Sequence, residues 1–220
     1  MKLDSVLFDL DGTLIDTAGD MAAACNALRI EEGLEPVDPA LIRPHVSRGS
    51  VGVISVGMPP AEDSVTAGWR ERFLELYRER LTDSSTLFEG MERVLTLIES
   101  RRRCWGVVTN KPGWLAEPLL EALGLTERCC AVVSGDTLAQ RKPHPAPLLH
   151  AMDQCGVAAE RCLYVGDDVR DIIAAHAAGA RSAAALWGYI APDQNPEQWG
   201  AHHSLDDLAA LETLLLTVWS

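Results

Sequence analysis

The stretch SVLFDLDGTLIDT, residues 5–17, decides the fold of this chain. It begins as a short apolar run of the kind that forms a buried strand. Asp9 and Asp11 then follow two residues apart, with Gly12 and Thr13 close behind. Two carboxylates at this spacing repel each other, so we expect a metal ion or a catalytic role to hold them together.

Four more short apolar runs follow at long intervals, each with polar residues or glycine at its end. Apolar runs without alternation are typical of strands that are buried on both faces of a parallel sheet. Helical patterns lie between the runs, so strand alternates with helix, which predicts an α/β fold with a doubly wound parallel sheet. The predicted strands span residues 5–9, 104–110, 130–135, 162–167 and 181–188.

One long gap interrupts this alternation. About ninety residues separate the first two predicted strands, far more than one crossover needs. The helices predicted within the gap span residues 17–33, 37–48 and 61–82. A further helix, residues 86–100, would return the chain to the sheet. We therefore predict two domains, a core made of residues 1–15 and 85–220 and a helical insert made of residues 16–84.

The composition narrows the class of partner. The formal net charge of −13 argues against nucleic acid or an anionic membrane as a partner. The chain has no apolar stretch long enough for a transmembrane helix, and its N-terminus does not resemble a signal peptide. We therefore expect a cytoplasmic protein whose six cysteines are reduced and mostly buried.

The ends of the predicted strands carry polar residues that can do chemistry. In a doubly wound sheet, ligands bind at the carboxyl ends of the strands, where Asp9 and Asp11 would meet further carboxylates and cations. Several carboxylates around a cavity form an oxygen-ligand site for a hard divalent cation, usually Mg²⁺. The residues at the other strand ends are Thr109, Asn110, Lys111, Lys142, Asp167, Asp168 and Asp171.

Such a set of residues can transfer a phosphoryl group. A carboxylate beside the metal can attack phosphorus and form an aspartyl-phosphate. Its neighbour two residues on can protonate the leaving oxygen and later deprotonate water. A hydroxyl, backbone N–H groups and a lysine can hold the phosphoryl oxygens while their charge redistributes. A nucleophile and a general acid and base two residues apart would explain why Asp9 and Asp11 are held close together despite their repulsion.

Four segments resemble, in order, the four motifs of the haloacid dehalogenase superfamily: DLDGTLIDT, VVTNK, KPHPAP and GDDVRD. The first motif is highly specific, the second and third are weak alone, and the four together span nearly the whole core. The resemblance implies a Rossmann-like core with Mg²⁺ as the cofactor. It also makes the helical insert similar to the small cap of the phosphoglycolate phosphatase-like branch.

The resemblance also implies a role for each matching residue. Asp9 would be the nucleophile, and Asp11 would be the general acid and base, with its backbone carbonyl on the metal. Lys142 would neutralise charge on Asp9 and on the phosphate. Dehalogenases of the superfamily generally lack an acid/base at the Asp11 position, because a halide leaves without a proton. Thr109 and Asn110 would bind the phosphoryl group, and Asp167 would bind the metal together with Asp9. Asp168 and Asp171 would take outer positions around the metal, and which of the two matters more stays open.

Four flanking segments are similar to proteobacterial proteins first labelled phosphoglycolate phosphatase: LFEGM (87–91), WGVVTNKP (105–112), AEPLL (116–120) and GYIAPDQNPEQWGA (188–201). Within these proteins, WGVVTNKP and the GYI…P…WGA pattern resemble the group of N-acetylmuramic acid 6-phosphate phosphatases of cell-wall recycling. The resemblance implies a Mg²⁺-dependent phosphomonoester hydrolase acting on a small phosphorylated metabolite, either N-acetylmuramic acid 6-phosphate or 2-phosphoglycolate. Two alternatives stay open, a sugar phosphomutase of the β-phosphoglucomutase kind and a non-catalytic binding protein on the same fold.

One polar segment of the insert, HVSRGS at residues 45–50, has two interpretations. It is either a polar helix end or a cap loop that lowers Arg48 onto the substrate. Both candidate substrates carry a carboxylate, which the guanidinium of Arg48 could bind through two parallel hydrogen bonds. The sequence leaves open whether the protein is a monomer or a homodimer.

Overall fold

The computed structural model describes residues 3–220. Within them, six parallel strands form one sheet, and two shorter strands form a separate antiparallel ribbon. The strands are β1 (Ser5–Phe8), β2 (Ile15–Asp16), β3 (Thr86–Leu87), β4 (Cys104–Val108), β5 (Ala131–Val133), β6 (Cys162–Gly166), β7 (Arg181–Ala185) and β8 (His203–Leu205). The sheet order is β5-β4-β1-β6-β7-β8, and the ribbon pairs β2 with β3. Strand β1 therefore lies inside the sheet, between β4 and β6.

Helices cover the sheet and fill the long gap after β1. They are α1 (Ala18–Glu31), α2 (Pro39–Ile42), α3 (Gly49–Gly57), α4 (Asp63–Glu79), α5 (Met91–Ser100), α6 (Gly113–Ala122), α7 (Ala146–Gln154), α8 (Val169–Ala177) and α9 (Leu208–Val218). A 3₁₀ helix, Arg43–Arg48, joins α2 to α3. Among the helices of residues 3–220, none is both long and apolar enough to cross a membrane.

The residues of β1 alternate between two apolar cores. Val6 and Phe8 face one core, which includes residues of α5, α6 and α9. Leu7 faces the other core, which includes residues of α7 and α8. All three side chains are fully buried. Burial on both faces explains why this strand is apolar without alternation. Asp9 follows directly after Phe8, so it lies at the carboxyl edge of the sheet.

All five strands predicted from the sequence are confirmed, with ends that differ by up to three residues. Three short strands were not predicted. Strand β8 has two polar residues, His203 and Ser204, before Leu205, so it contains no apolar run. Strands β2 and β3 have two residues each, which is too few for a pattern to be recognised.

The helical insert differs from its prediction in the middle. Helices α1 and α4 confirm the predicted helices at its two ends, and residues 37–48 contain α2 and the 3₁₀ helix. Helix α3 was not predicted, because three of its nine residues are glycines. The return helix begins only at Met91, because Gly90 precedes it with a φ of +92°. The boundaries of the two domains stay a prediction.

The six cysteines are free thiols, but the prediction that they are mostly buried is wrong. Cys25 and Cys162 are buried, three others are half-buried, and Cys130 is exposed. Cys130 lies directly before β5, at the amino end of that strand and therefore on the opposite edge of the sheet from the predicted site. The buried run begins one residue later, at Ala131.

Candidate active site

The carboxyl ends of β1 and β4 open into a cavity of about 310 Å³. The segment after β5, helices α6 and α8 and the insert supply other parts of its wall. Most of the residues that the sequence singled out line this cavity. They are Asp9, Asp11, Thr109, Asn110, Lys111, Lys142 and Asp171 from the core, and Arg48 from the insert.

The turn after β1 folds closely against Asp167, which follows β6. Gly12 has a φ of +87°, and a Cβ atom at this position would lie 2.1 Å from a carboxylate oxygen of Asp167. The hydroxyl of Thr13 donates a hydrogen bond to the other carboxylate oxygen, at 3.1 Å. A residue without a side chain is therefore required at Gly12, because any larger one would collide with Asp167.

Three carboxylates meet below the cavity. One oxygen from each of Asp9, Asp167 and Asp171 lies within 4.8 Å of the others, and all three residues are buried. Burial and the nearby charges of Asp9 and Asp171 raise the pKa of Asp167 to about 8. Burial also raises the pKa of Asp171 to about 6, although the charge of Lys142 opposes this. The surroundings of the cluster therefore do not fully stabilise three ionised carboxylates.

Lys142 contacts two carboxylates of this cluster directly. Its Nζ atom lies 2.8 Å from Asp9 Oδ1 and 2.7 Å from Asp171 Oδ1. Burial alone would lower the pKa of Lys142, but the two carboxylates outweigh it and raise this pKa, so the ammonium stays charged. The side chain of Asn110 holds the backbone of Lys142 by two hydrogen bonds, one to its carbonyl at 2.9 Å and one from its N–H at 3.0 Å.

Asp11 has different neighbours from Asp9. Its Oδ1 atom accepts a hydrogen bond from the hydroxyl of Thr17 at 2.7 Å and one from Lys111 Nζ at 2.9 Å. Lys111 is itself buried and also donates to the hydroxyl of Tyr77, in α4, at 2.7 Å. Sequence reasoning named Lys111 at the end of the second predicted strand but assigned no role to it. The only signal for it was its place in the VVTNK segment.

The structure separates Asp168 from Asp171. Asp168 is the N-cap of α8, where its Oδ1 atom accepts a hydrogen bond from the backbone N–H of Arg170 at 2.9 Å. It also pairs with the Arg170 guanidinium, at 2.8 Å. Burial opposes ionisation of Asp168, but these contacts with Arg170 outweigh it and lower its pKa. Asp171 therefore lies in the carboxylate cluster, and Asp168 points to Arg170.

The insert also contacts the acidic cluster. Ser47 lies in the 3₁₀ helix and donates a hydrogen bond from its hydroxyl to Asp167 Oδ2 at 2.5 Å. The guanidinium of Arg170 donates to the backbone carbonyl of Ser47 at 2.8 Å. The backbone N–H of Tyr189 donates to the same oxygen of Asp167, at 2.8 Å. Sequence reasoning assigned no individual role to Arg170, Tyr189 or Ser47, and it included them only within the GDDVRD, GYIAPDQNPEQWGA and HVSRGS segments.

Arg48 lies on the cavity wall but has a partner elsewhere. Its Nη2 atom contacts both carboxylate oxygens of Asp193, at 2.9 and 3.0 Å. Asp193 belongs to the segment between β7 and β8. Within residues 3–220, Nη2 is the one guanidinium nitrogen of Arg48 that forms a hydrogen bond, so two nitrogens of the fork stay available to a ligand.

Residues 6–185 match the model of the family described as haloacid dehalogenase-like hydrolase, and the chain belongs to this family. It is 48% identical over 197 residues to a phosphoglycolate phosphatase of Xanthomonas campestris, covering 90% of this chain and 89% of the relative. It is 44% identical over 208 residues to an N-acetylmuramic acid 6-phosphate phosphatase of Pseudomonas putida, covering 94% and 93%. Within the family, the chain is a phosphatase.

Solved structures agree with this family. The crystal structure of a predicted phosphoglycolate phosphatase from Haemophilus somnus 129pt superimposes with a TM-score of 0.85. The two sequences are 25% identical, and the match covers 98% of this chain and 99% of the other. A haloacid dehalogenase-like hydrolase from Bacteroides fragilis has a TM-score of 0.80 at 19% identity, covering 96% of this chain and all of the other, which supports the fold alone.

Proposed function

We propose that this protein is a Mg²⁺-dependent phosphomonoester hydrolase that acts through an aspartyl-phosphate on Asp9. The observation that carries the proposal is the position of Asp9. Its carboxylate lines the cavity, contacts the ammonium of Lys142 at 2.8 Å, and lies within the buried cluster with Asp167 and Asp171. A nucleophile that faces an open cavity beside a fixed cation is suited to attack on a phosphate ester.

The carboxylate cluster fits a hard divalent cation. Asp9, Asp167 and Asp171 bring three buried carboxylates together, and Lys142 is the ammonium that contacts two of them. Oxygen donors with excess negative charge are the ligands that Mg²⁺ prefers. We propose that Asp9 and Asp167 hold the ion together with the backbone carbonyl of Asp11. When bound, it would neutralise these carboxylates and draw electron density from a phosphoryl oxygen.

The reaction that we propose has two displacements. In the first, a carboxylate oxygen of Asp9 attacks phosphorus while Asp11 gives its proton to the leaving oxygen, so that an alcohol departs. In the second, Asp11 takes a proton from water, and the hydroxide attacks the same phosphorus. The bond from phosphorus to Asp9 then breaks, which releases inorganic phosphate and restores the Asp9 carboxylate.

The residues around Asp9 would orient the phosphoryl group. Lys142 can neutralise its charge from the position beside Asp9. Thr109 Oγ1 accepts a hydrogen bond from the backbone N–H of Lys111 at 3.1 Å, which leaves its own proton to donate to a phosphoryl oxygen. Asn110 also lines the cavity, and its side chain fixes the backbone of Lys142. We therefore assign Thr109 to direct binding and Asn110 to binding mainly through Lys142.

The substrate that we propose is a phosphate ester with a carboxylate, either N-acetylmuramic acid 6-phosphate or 2-phosphoglycolate. The names of the two bacterial relatives support this pair. The wall that the insert contributes carries two guanidinium groups, Arg48 and Arg70, which could bind a carboxylate at a distance from the phosphate. Such metabolites and the free thiols of the chain suit the cytoplasm.

The test is a phosphate-release assay over both candidates and a generic aryl phosphate, with Mg²⁺ and with excess EDTA. We expect release of inorganic phosphate with Mg²⁺ and its loss on chelation. Full activity after exhaustive chelation would contradict the metal site. An isomerised sugar phosphate without free phosphate would identify a phosphomutase instead. Absence of turnover of every ester would favour a non-catalytic binding protein.

A further inference from the structure

We propose that Lys111 is a positioning residue that orients the proton-transferring carboxylate of Asp11 and couples it to helix α4 of the insert. This inference rests on the proposed function, in which Asp11 is the general acid and base. It adds to that reaction a residue whose contacts lie outside the acidic cluster of Asp9, Asp167 and Asp171.

The ammonium of Lys111 is buried and has two hydrogen-bond partners, Asp11 in the core and Tyr77 in the insert. Its side chain is 4% exposed, and its Nζ atom lies 2.9 Å from Asp11 Oδ1. On the other side, Nζ lies 2.7 Å from the hydroxyl of Tyr77 and 4.4 Å from the centre of its ring. Tyr77 is 1% exposed. A buried ammonium needs such partners, because burying a charge without them is costly.

The two oxygens of Asp11 are unequal as a result. Oδ1 accepts hydrogen bonds from both Lys111 and Thr17. Within residues 3–220, Oδ2 accepts none. The lone pairs of Oδ1 are thus occupied, so the proton that Asp11 gives and takes must be carried by Oδ2. Lys111 and Thr17 would hold the carboxylate so that this oxygen faces the leaving group.

Asp9 and Asp11 therefore each contact a different buried lysine. Lys142 contacts Asp9 and stays within the core, since its other partners, Asp171 and Tyr164, belong to α8 and β6. Lys111 contacts Asp11, but its second partner belongs to the insert. A shift of α4 that moved the Tyr77 hydroxyl would move this ammonium, and Asp11 with it. The orientation of the acid would then depend on how the insert packs over the cavity.

The test compares two esters in the Mg²⁺-loaded enzyme. An aryl phosphate with a good leaving group, such as p-nitrophenyl phosphate, needs little protonation, whereas an alkyl phosphate without a carboxylate, such as glycerol 2-phosphate, needs a well-placed acid. We expect Lys111→Met to lower kcat/KM for the alkyl ester at least about 10-fold more than for the aryl ester. Tyr77→Phe, a milder change, should shift the ratio in the same direction by less.

The matched control is Lys142→Met, which removes the lysine of the nucleophile. Because attack by Asp9 is common to both esters, we expect this variant to lower kcat/KM for both to a similar degree. Equal losses for the two esters in Lys111→Met would overturn the positioning role of Lys111, and an unchanged ratio in Tyr77→Phe would overturn its coupling to α4; neither result would contradict the proposed function. A wild-type enzyme that releases no phosphate from any ester would overturn the proposed function, and the inference with it. If Lys111→Met does not fold, the ratio in Tyr77→Phe decides.

Discussion

Asp9 and Asp11 belong to one turn, yet they lie in different surroundings. Asp9 faces Lys142 and two further carboxylates, whereas Asp11 is bonded to Lys111 and Thr17. Two carboxylates with different neighbours can take different parts in one reaction, one as nucleophile and one as acid and base. The spacing of two residues places both at the cavity, and in the proposed reaction their different neighbours would set which carboxylate is the nucleophile and which is the acid and base.

We expect Asp9→Asn to lower phosphate release by at least about 10³-fold, because an amide is a far weaker nucleophile than a carboxylate. The fold should survive, since the change removes one negative charge from a crowded cluster. The measurement is the rate of phosphate release together with the midpoint of thermal unfolding, Tm, in EDTA. A folded variant that keeps a substantial part of the wild-type kcat would rule out the covalent route through Asp9.

We expect Asp11→Asn to slow turnover of an alkyl phosphate by at least about 10²-fold, because the leaving alkoxide then departs without a proton. The loss in kcat/KM should be smaller for an aryl phosphate, whose leaving group is stable as an anion. The measurement is kcat/KM for the two esters in wild type and variant. Equal losses for both esters would argue against the role of Asp11 as an acid.

At the scale of elements, the sequence predicts what lies within one strand and its turn. The apolar run of β1 and the acids after it are contiguous, so their relation needs no knowledge of the rest of the chain. The contacts between Ser47 and Asp167 and between Tyr77 and Lys111 join the insert to the core. They depend on how the helices of the insert pack against the core, which no local pattern of the sequence specifies, so single-sequence reasoning could not find them.

The segment from β7 to β8 and the 3₁₀ helix of the insert meet through Arg48 and Asp193. We expect Arg48→Ala to raise KM for a carboxylate-bearing ester about 10-fold, the effect of one lost hydrogen bond to a charged group. Turnover of an aryl phosphate should change little, because it has no carboxylate. The measurement is the ratio of kcat/KM for the two esters.

Arg70→Ala is the matched control for this prediction. Arg70 lies on α4, lines the same cavity, and has no carboxylate partner within residues 3–220. A changed ratio in Arg70→Ala with an unchanged ratio in Arg48→Ala would assign carboxylate binding to α4 instead. An unchanged ratio in both variants would contradict recognition of the carboxylate by the insert.

At the scale of the whole molecule, an acidic protein can bind an anionic ester where several of its cations converge. The net charge is −13, with 19 lysines and arginines in the chain. Within residues 3–220, six of these line the cavity, namely Arg48, Arg70, Lys111, Arg141, Lys142 and Arg170. Local convergence of cations can attract an anion even where the overall field repels it.

The buried acids also tie stability to pH. Burial and the nearby carboxylates raise the pKa of Asp167 from 3.8 to about 8. In the unfolded chain this pKa returns to its ordinary value. Between these two values the folded protein keeps a proton that the unfolded chain has released, so the free energy of unfolding falls as the pH rises. A divalent cation that replaces this proton should reverse the trend, since it binds the ionised carboxylates.

We therefore expect the gain in Tm on adding Mg²⁺, relative to EDTA, to increase from about pH 5.5 to about pH 8.5, because fewer protons compete for Asp167 at higher pH. The measurement is thermal unfolding of the wild type and of Asp167→Asn across this range. The variant has no carboxylate to titrate at this position, so its Tm in EDTA should fall less with pH, and its gain from Mg²⁺ should be smaller. Equal slopes for the two proteins in EDTA would show that the burial of Asp167 does not control this part of the pH dependence.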